Sequence, residues 1–325
     1  MRWLGLAPIG AIALACSDAI APNTSPTSIR LHSDAGDFVG SGQTYEYDLT
    51  NALVLVNART DTFGIYIRGD EEWTGVFTIP HTHARLEPGF YPGATRFPYN
   101  DPAGTGLSWF GTNGCDKLTG SFLIGGVSYD DMTLTAIDFS FEQHCEGFRP
   151  ALHGTVHWRA DDPTRPPGPV NPVPAGLWQP PAGATPTGVN YVYLLSDPSD
   201  PIGAGSTYTY TPANATVGLQ TSNGELTVSV GTANGLEWWI GDFKPMNTLS
   251  ALQVGYYAGA GRFVNPTKGG LDWSGNGRGC NTLRGWFAID HVTYAADSIT
   301  TVDLRFEQHC EGVTPALHGA MHWAR

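Results

Sequence analysis

The chain carries two near copies of one pattern, and this duplication constrains its fold more than any other feature. SDAGDFVGSGQTYEY (Ser33–Tyr47) returns as SDPSDPIGAGSTYTY (Ser196–Tyr210), and GFYPGATRF (Gly89–Phe97) as GYYAGAGRF (Gly255–Phe263). GLSW at Gly106 matches GLDW at Gly270, and GCDKLTGSF at Gly114 matches GCNTLRGWF at Gly279. Both copies close on FEQHCEG (Phe141–Gly147 and Phe306–Gly312), then PALHG, then a His-Trp pair. The offset stays between 163 and 166 residues, so each copy must be a complete folding unit with its own core.

Within a copy the pattern is short β-branched and aromatic runs broken by Gly, Asp, Asn and Pro. YEYDLTNALVLVNA, FGIYIRG, MTLTAIDFSF and GTVHW read as strands. No amphipathic helix pattern is present. The expected class is all-β: two tandem β-sandwich domains of jelly-roll or Ig-like type, about eight strands each, one disulfide each. They span 28–159 and 177–325. Between them, 160–176 (ADDPTRPPGPVNPVPAG) is expected to be an extended proline-rich spacer.

The first 15 residues combine one Arg with an apolar run from Trp3 to Ala15, too short for a membrane span and suited to a secretory signal. Ala13-Leu14-Ala15-Cys16 resembles a bacterial lipobox. The resemblance implies lipidation of Cys16, a tether over 16–27, and a bacterial cell envelope location. Ala13 stands where that signal usually has Leu. Of five cysteines, Cys16 is the odd one; Cys115/Cys145 and Cys280/Cys310 are each 30 residues apart and pair most economically inside each copy. A net charge of −13 with scattered basic residues excludes nucleic acid as a partner.

Alternation along TAIDFSFEQHC puts Phe141, Gln143 and Cys145 on one face and Glu142 and His144 on the other. A hairpin pairing Cys145 with Leu152 would set His144 opposite His153, and His309 opposite His318. With Glu142 beside them, these imidazoles are candidates for a zinc or copper site; the competing reading is a disulfide-pinned structural corner. Asp34/Asp37 and Asp197/Asp200 are calcium candidates, against plain Asp turns. His81 and His83, expected on one strand face, have no counterpart in copy two. No resident cofactor is expected.

Trp73, Trp109, Trp158, Trp239, Trp273 and Trp323 recur and are assigned to the cores. Trp178, Trp238 and Trp286 do not recur and are candidate exposed contacts for a protein or glycan. GRGCN (Gly277–Asn281) together with FEQHCEG and PAL resembles a family of uncharacterised bacterial secreted repeats, with no catalytic role implied; copy one departs from it at Asn113-Gly114-Cys115-Asp116. The expected function is a non-catalytic, lipid-anchored accessory subunit docking on an envelope or integral membrane protein complex. A carbohydrate-binding module and a hydrolase with a site between the domains are the alternatives.

Overall fold

The computed structural model describes residues 26–262 and 265–325; Cys16, the signal-like segment and most of the tether lie outside the described residues. Repeat 1 contributes β1 (Ser28–Ser33), β2 (Thr44–Asp48), β3 (Leu53–Ala58), β4 (Thr62–Arg68) and β5 (Glu72–Thr78). It continues with β6 (Gly89–Arg96), β7 (Gly106–Phe110), β8 (Leu118–Asp130), β9 (Thr133–Cys145) and β10 (Ala151–Arg159). Repeat 2 runs from β11 (Tyr191–Ser196) through β12 (Thr207–Tyr210), β13 (Ala215–Ser222), β14 (Glu225–Thr232) and β15 (Trp238–Lys244). Its second half is β16 (Gly255–Gly261), β17 (Gly270–Gly275), β18 (Leu283–Ala295), β19 (Ser298–Cys310) and β20 (Leu317–Ala324).

Each repeat is one ten-stranded sheet nearly closed into a barrel. Its order is β2-β1-β10-β9-β8-β6-β7-β5-β4-β3 in repeat 1, and the same order recurs in repeat 2. The all-β class and one cysteine pair per repeat are as the sequence indicates. The strand count is higher than the eight expected, and the strands join in one continuous ladder. Short, glycine-containing strands such as β6 and β7 carry too weak an alternation to be separated in sequence. β6 and β7 touch only at Thr95↔Gly106 and Arg96↔Leu107, in parallel, then diverge.

The barrel interiors are filled. In repeat 1, Phe77 packs edge-on to Phe122 and Phe139 at 5.3 and 4.7 Å, and Trp109 stacks on Phe141 at 4.8 Å. Tyr47 on β2 accepts a hydrogen bond from Trp73 Nε1 at 2.9 Å; Tyr210 and Trp239 repeat it at 2.7 Å. Burial pushes the Tyr47 hydroxyl up to about 12. The recurring tryptophans are core residues, as expected, with Trp158 and Trp323 packed at its margin.

The proline-rich linker is more than a spacer. Val170, a residue with a free N–H between prolines, forms an antiparallel bridge to Tyr256 with both hydrogen bonds at 2.9 Å. The repeats also touch: Lys268 Nζ lies 2.8 Å from Asp70, and Asn265 Nδ2 donates to the Asn51 carbonyl at 3.0 Å. Burial would raise the Asp70 carboxyl, but Lys268 and Asn265 outweigh it and hold it below its ordinary value.

Candidate interaction surface

Every residue of FEQHCEG has a local task. Phe141 lies under Gly154, where an added Cβ would come within 1.9 Å of its ring. Gln143 is fully buried; its amide accepts from Trp109 N–H and donates to the Trp109 carbonyl, both at 2.8 Å. It thereby supplies the backbone partner that β7 loses where β6 turns away, and Gln308 does the same for Trp273. Cys145 and Cys115 are paired with Cα atoms 5.1 Å apart, as are Cys310 and Cys280. Glu146, at φ 54°, accepts from the Asp116 and Lys117 amides at 2.6 and 2.9 Å, and Gly147 follows at φ 76°.

The histidines fall two residues from the expected register. His153 pairs with Glu142, and His144 with Ala151; in repeat 2, His318 pairs with Glu307. A two-residue shift preserves the faces, so the imidazoles still point outward but are no longer cross-strand neighbours. The cause is the turn: Glu146 and Gly147 in the left-handed region close a tight connection that draws β10 back along β9. Each carboxylate sits between two imidazoles instead: Glu142 is 3.0 Å from His144 Nε2 and 3.5 Å from His153 Nδ1, and Glu307 is 3.2 Å from both His309 and His318. Among the described residues, no group of three or more His, Cys, Asp or Glu is arranged to hold a metal ion.

The calcium candidates are turn staples. Asp37 Oδ2 accepts from Ser33 Oγ at 2.7 Å and Gly40 N at 2.8 Å, and Asp200 repeats this with Ser196 and Gly203. Asp34 accepts from the Ala151 amide at 3.1 Å. That bond, outweighing desolvation and aided by His153 and His32, lowers its carboxyl pKa. Asp197 accepts equivalently from Ala316 at 3.0 Å. His81 and His83 lie in a turn rather than on a strand; His81 meets Asp61, and His83 lies 3.5 Å from Glu87.

The non-recurring tryptophans separate into three situations. Trp238 is exposed on β15 beside Ile240. Trp178 is half-buried and stacks on the His318 ring at 4.9 Å and 20°, while its carbonyl accepts from Arg305 at 2.7 Å. Trp286 was expected to be exposed and is instead buried, edge-on to Tyr256 at 5.9 Å, the residue that Val170 bridges.

These contacts expose an asymmetry that residue-by-residue sequence matching does not show. The outer face of β16, β18, β19 and β20 in repeat 2 is crossed by the chain leading into that repeat, from Pro169 to Trp178. Among the described residues, no segment crosses the same face in repeat 1. Phe90 and Leu123, cross-strand partners there, are 64% and 46% exposed; of their counterparts, Tyr256 is half-buried and Ala288 is 0% exposed. His153 is 40% exposed against 12% for His318. A second feature of repeat 1 is a cleft of about 690 Å³ lined by Phe38, Phe148, Asn113, Asp116 and Glu146. Repeat 2 has Pro201 and Val313 where repeat 1 has Phe38 and Phe148. Between the repeats, a cavity of about 300 Å³ is lined by Leu53, Val54, Thr164, Arg165, Asn247 and neighbours, with no carboxylate, imidazole or thiol among the described residues.

No known protein family and no curated protein matches the chain. Among solved structures, it aligns with the crystal structure of a protein of unknown function from the DUF3598 family of Nostoc punctiforme. The two are 9% identical over 92% of this chain and 94% of that one, with a TM-score of 0.19, a likeness that carries no argument.

Proposed function

We propose that this is a non-catalytic envelope protein, held to a membrane by lipid on Cys16, that presents the open outer face of repeat 1 to a protein partner, as an extrinsic subunit of a membrane complex would. The observation that supports this reading is the asymmetry between the repeats: one outer face is occupied by the chain itself, and its twin leaves Phe90 and Leu123 in water. Contiguous exposed apolar side chains on a rigid sheet mark an interaction surface. The packed barrel interiors leave the outer faces and loops as the places for a partner. The test is purification of tagged full-length protein from detergent-solubilised membranes of its own source. A stoichiometric membrane partner, lost with Phe90→Asp, is the expected result; recovery of the protein alone from native membranes would end the proposal.

A second reading has its own observation. The Phe38/Phe148 cleft combines two aromatic faces with amide and carboxylate groups, the combination that binds a sugar ring by stacking and hydrogen bonding. Glycan-array binding that disappears with Phe148→Ala, and survives Phe90→Asp, would favour it over protein docking.

A further inference from the structure

Repeat 2 holds a segment of its own chain against its sheet, by contacts that can be traced residue by residue. The start of β16 is paired with β18 on one side only, since β17 joins β16 no earlier than Gly261. Val170 takes the free side, giving Tyr256 both a donor and an acceptor. Val170 lies between prolines yet keeps its N–H for pairing; the chain then bends at Asn171 and Pro172 and turns at Ala175 and Gly176 before Trp178, eight residues on, stacks over His318. Gly255 makes the passage possible: a Cβ there would stand 2.8 Å from Pro169.

Part of the receiving surface recurs in repeat 1: the free strand edge, the glycine and the histidine are there, whereas Ser140 and Ser121 stand in the places of Arg305 and Trp286. β6 pairs with β8 in the same register, Gly89↔Ile124, Phe90↔Leu123 and Tyr91↔Phe122, so Phe90 turns its N–H and C=O away from β8 as Tyr256 does from β18. Gly89 stands where Gly255 stands, with nothing nearer than 3.6 Å to an added Cβ. His153 sits in the place of His318 with its ring more exposed. The sequence ahead of repeat 1 does not repeat the linker. Val170 and Trp178 lie 21 and 13 residues ahead of Tyr191; the same distances ahead of the matching Ser28 fall on Ala7 and Ala15. Neither carries a ring, and a chain matured at Cys16 lacks both. A second copy's linker is already engaged on its own repeat 2.

We infer that the outer face of repeat 1 receives a proline-flanked segment of a partner protein, which adds one β-bridge at Phe90 and, after a turn, sets an aromatic side chain about eight residues later over His153. This inference rests on the docking reading above and names the partner's chemistry.

The probe is a fluorescein-labelled peptide with the sequence of residues 165–182 (RPPGPVNPVPAGLWQPPA), titrated with full-length protein and followed by anisotropy. Saturable binding is expected, weakened at least about tenfold by Phe90→Asp or Leu123→Asp in the protein, and by alanine in place of the peptide's tryptophan. Both protein variants change exposed side chains, and unaltered melting of either one certifies its fold. Absence of saturation up to about 1 mM, or equal binding to the variants, overturns the inference. If the peptide fails while a membrane partner is still lost with Phe90→Asp, the docking reading stands and the proline-flanked segment is wrong.

Discussion

Gln143 offers the sharpest test of whether FEQHCEG is a structural element. Replacing it with leucine keeps approximate volume and removes the side chain that satisfies Trp109 N–H and C=O, both bonded at 2.8 Å in a fully buried setting. An orphaned buried polar group costs about 1–3 kcal/mol, so two of them predict a loss of roughly 2–5 kcal/mol, partly offset by the added apolar contact. Urea denaturation of the full chain, followed by tryptophan fluorescence, should show the loss as a lowered midpoint with little change in slope. Hydrogen exchange should find the Trp109 amide released, with the Trp273 amide, held by Gln308, unaffected. Glu142→Gln, on the exposed face, is the control and should stay within about 0.5 kcal/mol. If Gln143→Leu also stays within that margin and Trp109 exchange does not change, the glutamine is not a backbone substitute and the reasoning fails.

Gly154→Ala drives a methyl to 1.9 Å from the Phe141 ring, and should lower stability by at least about 1–3 kcal/mol in thermal melts; Gly319→Ala should do the same in repeat 2. Cys145→Ser opens a loop of 30 residues and should cost about 3–4 kcal/mol, an effect that must vanish when both proteins are compared under reducing conditions. Asp162 is held down to about 2: burial would raise it, but Thr164 and Thr27 donate to it and prevail. A depressed carboxylate stabilises fully above its unfolded value near 3.8 and loses that contribution as pH falls through about 2. Acid titration should therefore show a decline over that window which is shallower in Asp162→Asn.

The sequence shows its logic most fully at the corner that first looks like chemistry. Alternation alone assigned Phe141 and Cys145 inward and His144 outward, and the structure agrees. The pairing of β9 with β10 was beyond it, because the left-handed conformation of Glu146 and Gly147 sets the turn, and a shift of two residues leaves every face unchanged. Asp37 and Asp200 show the same limit: a carboxylate in a glycine-rich turn serves an ion or a backbone amide equally well, and only the Ser33 and Gly40 distances choose. Trp286 shows it in reverse. Its failure to recur suggested exposure, yet it is buried against Tyr256, the residue that the linker bridges.

The duplication, the all-β class, the 30-residue cysteine pairing and the recurring core tryptophans were determined by the sequence, because they depend on composition, local alternation and spacing along one chain. The continuous ten-strand ladders, the use of Gln143 and Gln308 as stand-in backbone, and the covering of one outer face by Val170 and Trp178 were decided only in three dimensions. The physical reason is reach. Val170 meets Tyr256 across 86 positions, and no periodicity within a strand carries information over that distance about which polar group will be left for another to satisfy.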